Sequence, residues 1–112
     1  MDGERFSPEE ARTEIFICAY DDFIRQTAHF KEKLTEENVS FGDTTSVILS
    51  ETSRIYEPAE WDEAHCEWKY RIEGYEPDGK WLVIIFSILS EGTAKLITVF
   101  SSKPRIKHGR GS

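Results

Sequence analysis

The segment from residue 66 to residue 101 constrains the fold most, because it has the pattern of three consecutive antiparallel strands. Residues 67–73 alternate polar and apolar side chains, which predicts a strand with one buried and one charged face. After a turn in which Gly79 is expected to take a positive φ, residues 81–86 are all apolar, as in a strand covered on both faces. A second glycine-containing turn leads to the third strand, residues 94–100.

The first half of the chain has the pattern of helices. Ser7 is a typical N-cap, with proline at the first helical position and Glu10 at the third. Apolar residues then recur at spacings of three and four, which predicts one helical stripe packed on the sheet, as one long helix or as two with a break near Thr27. The stripe consists of Phe16, Tyr20, Phe23, Phe30 and Leu34. A second cap at Ser40 opens a short helix through about Leu49.

This order of elements predicts an α+β fold, with N-terminal helices packed on one face of a three- to four-stranded antiparallel meander. The strand at residues 80–89, which is apolar on both sides, is expected at the centre of the sheet. Residues 54–56 have the pattern of a short additional strand, and residues 57–64 that of an acidic connection. We expect one domain over residues 1–102, followed by a basic, mobile tail at residues 103–112.

The charge of the chain is unevenly distributed. The net charge is -7, from 14 basic and 21 acidic residues. Glu91 is the last acidic residue, and four of the basic residues lie after residue 102. Residues 1–102 therefore hold 10 basic and 21 acidic residues, a net charge of -11. Such a body suits a basic protein partner better than RNA, since nucleic-acid binding depends on cations. The alternative is that the negative charge only keeps the protein soluble.

The sequence favours a cytoplasmic protein without a membrane segment. No apolar run approaches the roughly 20 residues that span a bilayer, and the acidic N-terminus lacks the apolar region of a signal peptide. Only two cysteines occur, Cys18 and Cys66, which is too few for a disulfide scaffold. His65 and Cys66 have acidic neighbours but not the spacing of a zinc site, and we predict no metal or cofactor.

Several short motifs, in order between residues 27 and 102, carry a family resemblance. They are His29 followed by Lys33, V-S-F-G-D at 39–43, D-G-K-x-L-V-I at 78–84 and L-I-T-V-F at 96–100. This order resembles small toxin-related proteins of the RelE/BrnT type and, more closely, a family of unknown function thought to belong near them. Glu37 and Asn38 replace the Lys-His pair of BrnT-type toxins, and a Ser-Ser-Lys ending replaces their basic Ala-Arg ending.

The resemblance implies a RelE-like fold and, by analogy with ribonuclease toxins that pair with antitoxins, cleavage of RNA. Such cleavage without a metal needs an acid and a base for proton transfer and cations for the phosphate. His29 is the candidate acid or base, Lys33 the candidate cation and Arg71 the candidate phosphate clamp. The alternative is that His29 is an ordinary exposed helical residue and that Arg71 belongs to a solvated, mixed-sign strand face. Whether the protein is an enzyme stays open at this stage.

A non-enzymatic, acidic binding protein is the second class of function. It would mask a basic protein partner, as immunity or antitoxin-like factors do. Trp61 lies in the acidic connection, where an exposed aromatic side chain can anchor a partner. The predicted partner-binding residues are Trp61, Glu57, Glu60, Asp62 and Glu63.

Overall fold

The computed structural model describes residues 5–103, which form three helices and five strands. The helices are α1 (Pro8–Tyr20), α2 (Ala28–Glu37) and α3 (Phe41–Leu49). The strands are β1 (Ile24–Gln26), β2 (Arg54–Asp62), β3 (Glu67–Tyr75), β4 (Trp81–Ile88) and β5 (Ala94–Ser102). Except for Lys103, the tail predicted as mobile lies outside the described residues.

The five strands form one sheet in the order β1-β5-β4-β3-β2. Strands β2 to β5 are antiparallel neighbours, whereas β1 pairs in parallel with the start of β5. The α+β class is therefore confirmed, and β4 lies at the centre as predicted. The predicted count of three to four strands is not confirmed, because the sheet has β1 as a fifth strand. It is only three residues long and lies between α1 and α2, where the sequence predicted one long helix or two with a break near Thr27.

Strand β2 is longer than the sequence suggested. It continues through most of the acidic connection predicted for residues 57–64 and ends at Asp62. Its pairing with β3 shifts between Tyr56 and Glu60, so a bulge accommodates Pro58. Because β2 is an edge strand, a proline and a bulge are tolerated there, and they hinder pairing with a further strand.

Side-chain caps fix where the helices begin. Ser7 accepts a hydrogen bond from the Glu10 backbone N–H, and the Glu10 carboxylate accepts one from the Ser7 N–H. Ser40 and Asp43 form the same reciprocal pair at the start of α3. Thr27 caps α2, so the break predicted near this residue separates two helices. None of the three helices in residues 5–103 is long and apolar enough to cross a membrane.

The orientation of α1 differs from the prediction. Of the predicted stripe, Phe30 is fully buried and Leu34 packs against the core, but Phe16, Tyr20 and Phe23 are 39%, 70% and 56% exposed. Helix α1 instead buries a stripe of smaller side chains, which is Ala11, Ile15 and Cys18. The spacing of three and four does not continue across the chain segment that holds β1, because α1 and α2 are separate helices.

The core lies between the helices and one face of the sheet. Its sheet residues include Tyr70, Ile72, Leu82, Ile84, Phe86, Leu96 and Val99. Val83 is also fully buried but lies outside this core, on the opposite side of β4, which explains why that strand is apolar on both sides from Trp81 to Phe86. We call this opposite side the outer face. It is formed by Lys69, Arg71, Glu73, Val83, Ile85, Lys95, Thr98 and Phe100.

The turn between β3 and β4 provides a test of the fold. Gly79 has a φ of +97°, as predicted, and nothing lies within 4 Å of a Cβ built on it. We expect Gly79→Val to lower the free energy of unfolding by about 1–2 kcal/mol, since a β-branched residue is strained at positive φ. Denaturant unfolding measures this. Gly42→Ala, inside α3, serves as the control and should not destabilise. A Gly79→Val protein as stable as the wild type would contradict this assignment.

Candidate functional site

Two of the three predicted catalytic residues approach the same outer face. The His29 ring Nε2 on α2 lies 3.2 Å from the Thr98 hydroxyl on β5, and the two are hydrogen-bonded. Thr98 and Arg71 both pair with Ile85 of the intervening β4. With strands about 4.8 Å apart, the backbones of Thr98 and Arg71 are therefore about 10 Å apart. His29 lies at the rim of the outer face, and Arg71 lies on it.

The third residue, Lys33, belongs to a different contact. Its Nζ lies 3.3 Å from Glu36 Oε1 and 3.6 Å from Glu37 Oε2. The Glu37 carboxylate also accepts hydrogen bonds from the Ser101 backbone N–H at 2.8 Å and from the Ser101 hydroxyl at 2.9 Å. These hydrogen bonds, with the charge of Lys33, lower the pKa of Glu37. Lys33 therefore supports the attachment of α2 to the edge of β5, and two carboxylates offset its charge.

Arg71 is held by a buried carboxylate. Its Nε donates to Glu73 Oε2 at 2.6 Å, and Glu73 is only 1% exposed. The indole N–H of Trp81 donates to the other oxygen, Oε1, at 2.8 Å. The Arg71 guanidinium also lies over the ring of Phe100, 5.9 Å from its centre. Arg71 is thus well positioned, but its charge is compensated before any ligand arrives.

The two lysines of the outer face, Lys69 and Lys95, are paired with carboxylates as Arg71 is. Lys69 Nζ lies 3.2 Å from Asp62 Oδ2, and Lys95 Nζ lies 2.8 Å from Glu67 Oε2. Lys95 and Glu67 are both largely buried by their neighbours. This arrangement fits the alternative interpretation of the charged row on β3, because Lys69 pairs with a carboxylate on the adjacent strand β2 and Glu67 pairs with a lysine on β5, across β4. The outer face therefore offers little uncompensated positive charge for a phosphate.

The predicted partner-binding residues lie on the edge strand β2 and the turn that follows it. Trp61 is 39% exposed, packs edge-on against Trp68 at a ring distance of 5.4 Å, and donates its N–H to Glu63 at 3.0 Å. Glu57, Glu60 and Glu63 are exposed. The structure therefore presents an aromatic side chain surrounded by carboxylates at one edge of the sheet.

Asp62, the fifth predicted binding residue, faces inward into a network. It accepts hydrogen bonds from His65 Nδ1 at 2.9 Å and from Lys69 Nζ at 3.2 Å, and together they lower its pKa to about 2. Possible ligand atoms of Asp62, His65 and Glu67 lie within 4.8 Å of one another. A metal ion here would have to displace Lys69 from Asp62 and Lys95 from Glu67. The arrangement is therefore an ion-pair network with an exposed histidine.

A cleft of about 640 Å³, which the sequence did not indicate, lies between α1 and the turns that follow β2 and β4. Four carboxylates line it, those of Glu10, Glu14, Glu67 and Glu91, together with Arg5 and His65. Glu67 and Glu91 are paired with Lys95 and Arg25. The signal that could have indicated the cleft is the spacing of Glu10 and Glu14, which places both on one side of α1. The acidic turn residues come from distant parts of the chain, so only the fold shows that they meet there.

The Asp62 network yields a prediction about pH. Because the folded-state pKa is lowered, the stabilisation from this carboxylate is present above about pH 4 and is lost as the pH falls towards 2. We expect His65→Gln to raise the pKa of Asp62 towards its ordinary value of 3.8, since the strongest hydrogen bond to the carboxylate is lost. NMR titration of the side-chain carboxyl measures this. His29→Gln is the control, and an unchanged Asp62 midpoint in His65→Gln would contradict the assignment.

Comparison with known proteins gives a family but no activity. Residues 26–101, more than half of the chain, match a family model described as Domain of unknown function (DUF4258). This match agrees with the predicted resemblance to a family of unknown function. The match provides no link to RelE/BrnT-type toxins. No curated protein matches the chain. The protein therefore belongs to the DUF4258 family.

Proposed function

We propose that this protein is a non-enzymatic binding module that recognises a basic surface on a partner protein. One observation carries the proposal. The cations of the outer face, Lys69, Arg71 and Lys95, are each paired with a carboxylate within 3.2 Å. Positive charge on this face is therefore already compensated, and the carboxylates elsewhere that make no ion pair among residues 5–103 dominate the field that a partner meets.

The chemistry of the β2 edge supports the same conclusion. Trp61 supplies contact area that can be desolvated, and exposed carboxylates surround it. Complementary charge raises the rate of association and makes binding sensitive to salt. An immunity- or antitoxin-like factor that masks a basic protein in the cytoplasm is a role of this kind.

The proposal is tested by first isolating the native partner and then measuring its association rate. We expect the partner to be basic at its contact patch, and the rate to fall as salt shortens the Debye length from about 10 Å at 0.1 M to about 3 Å at 1 M. Neutralising the edge carboxylates should slow association about tenfold at low salt. The variant carries Glu57→Gln, Glu60→Gln and Glu63→Gln.

A second triple variant with the same change in net charge is the control. It carries Glu32→Gln, Glu51→Gln and Asp78→Asn, all at exposed positions outside residues 57–63. It should slow association less than the edge variant does. An acidic native partner, or a complex whose association rate is indifferent to salt, would rule out the proposed function.

A toxin-like ribonuclease is the second candidate, because His29 and Arg71 approach the same outer face. The RelE-like fold and the relation to toxins that the sequence motifs imply belong to this candidate. Its weakness is electrostatic: Glu73 pairs with Arg71, and Glu36 and Glu37 pair with Lys33. A phosphate approaching either cation would meet these carboxylates as well.

The purified protein separates the two candidates. We expect it not to degrade RNA, and we expect His29→Ala and Arg71→Ala to behave like the wild type in this assay. Lys31→Ala, which removes an exposed cation from α2, is the control, and circular dichroism checks that each variant is folded. RNA degradation by the wild type that is lost in His29→Ala and kept in Lys31→Ala would establish the ribonuclease instead.

A further inference from the structure

Helix α1 is apolar on two sides. Its inner side closes the core, whereas a second apolar stripe faces solvent and consists of Phe16, Ile17 and Tyr20. We call this the outward stripe. Phe16 and Tyr20 contact each other edge-on at 6.4 Å, and Tyr20 is 70% exposed. Phe23, just after the helix, adds a further exposed ring. Exposed apolar residues that are grouped in this way mark interaction sites more often than single ones do.

The acidic cleft lies directly beside the outward stripe. Glu10 and Glu14 form its wall on α1, and Glu14 is three residues before Ile17, so the two are neighbours on the helix surface. Among residues 5–103, Glu14 makes no ion pair. Asp21 and Asp22, both exposed, follow the stripe at the other end of α1. The apolar surface is therefore bordered by negative charge along one side and at its end.

We propose that the outward stripe and the adjoining cleft form the docking surface for a cationic amphipathic segment of a partner protein. The apolar side chains of that segment would cover Phe16, Ile17 and Tyr20, and a lysine or arginine would enter the cleft beside Glu14. This inference rests on the proposed function, which names a basic partner, and adds the surface that receives it.

Charge decides between the possible occupants. A second copy of the chain would bring Glu14, Asp21 and Asp22 against their own copies, and like charges across an interface are unfavourable. An anionic surface would be repelled for the same reason. A cationic segment satisfies both parts of the surface, because it gains apolar contact and can pair with Glu14, Asp21 and Asp22, none of which makes an ion pair among residues 5–103.

The probe is a synthetic helical peptide of leucine and lysine, compared with the same peptide in which glutamate replaces lysine. Titration of the ¹⁵N-labelled protein maps binding by backbone NMR shifts, and calorimetry gives the affinity. We expect the lysine peptide to bind and to shift residues of α1 and of the turn at Glu91. The glutamate peptide should not bind.

Two matched pairs of variants locate the contact. Tyr20→Ser should weaken binding of the lysine peptide about tenfold, as expected for loss of an aromatic anchor, while Tyr75→Ser removes an exposed tyrosine from the sheet and should change it less than about twofold. Glu14→Gln should weaken binding about threefold at low salt, whereas Glu32→Gln on α2 should not. Neither Tyr20 nor Glu14 belongs to the core, so the variants should remain folded.

The outcomes distinguish this inference from the proposed function. NMR shifts confined to Trp61 and the β2 edge, or equal losses of affinity in Tyr20→Ser and Tyr75→Ser, would overturn the inference that α1 is the docking surface. They would leave the proposal of a basic partner unaffected. Binding of the glutamate peptide, or of neither peptide, would count against both. A dimer seen by sedimentation that Tyr20→Ser dissociates would show that a second copy occupies the stripe, and would also overturn the inference.

Discussion

The rest of the structure depends on the burial of both faces of β4. Leu82 and Ile84 belong to the core with the helices, whereas Val83 lies outside that core, on the outer face, and is nonetheless fully buried. Beside it on β3, Glu73 is also buried, and Trp81 and Arg71 converge on it and satisfy its two oxygens. A buried carboxylate without such donors would be strongly destabilising, so these contacts hold the outer face in one arrangement.

The same contacts limit what the outer face can do chemically. An arginine that compensates a buried carboxylate is well placed but brings little net charge to a ligand. The two lysines of the outer face are used in the same way, since Lys69 neutralises a carboxylate on the adjacent strand β2 and Lys95 neutralises one on β3, across β4. The excess of acidic residues in the chain therefore has two consequences. It neutralises the cations that an RNA-cleaving site would need, and it leaves the surface negative towards any partner.

The sequence predicted the features that are determined locally. Capping pairs such as Ser40 with Asp43, and the positive φ of Gly79, depend on a few adjacent residues. The strand β1 was missed because three residues are too few to show a period. Helix α1 has two apolar sides, and the spacing of its residues does not show which of them enters the core. The side with the smaller residues does, since Ala11 and Cys18 allow close approach to the sheet. The same holds for the site. The sequence predicted a row of charged residues on one face of β3, but the pairing of Lys95 with Glu67 depends on strand register, which the sequence does not show.

Helix α1 is the part of the chain about which family membership says least, because the family match begins at residue 26. Its two apolar sides have separate consequences. The inner side is small and fully buried, and Cys18 donates to the Gly92 carbonyl in the turn between β4 and β5, which ties the helix to the wall of the acidic cleft. The outward side contributes nothing to that packing. Substitution at Tyr20 therefore changes what the surface can bind while leaving the core contacts of α1 in place, so binding and folding can be measured independently at this helix.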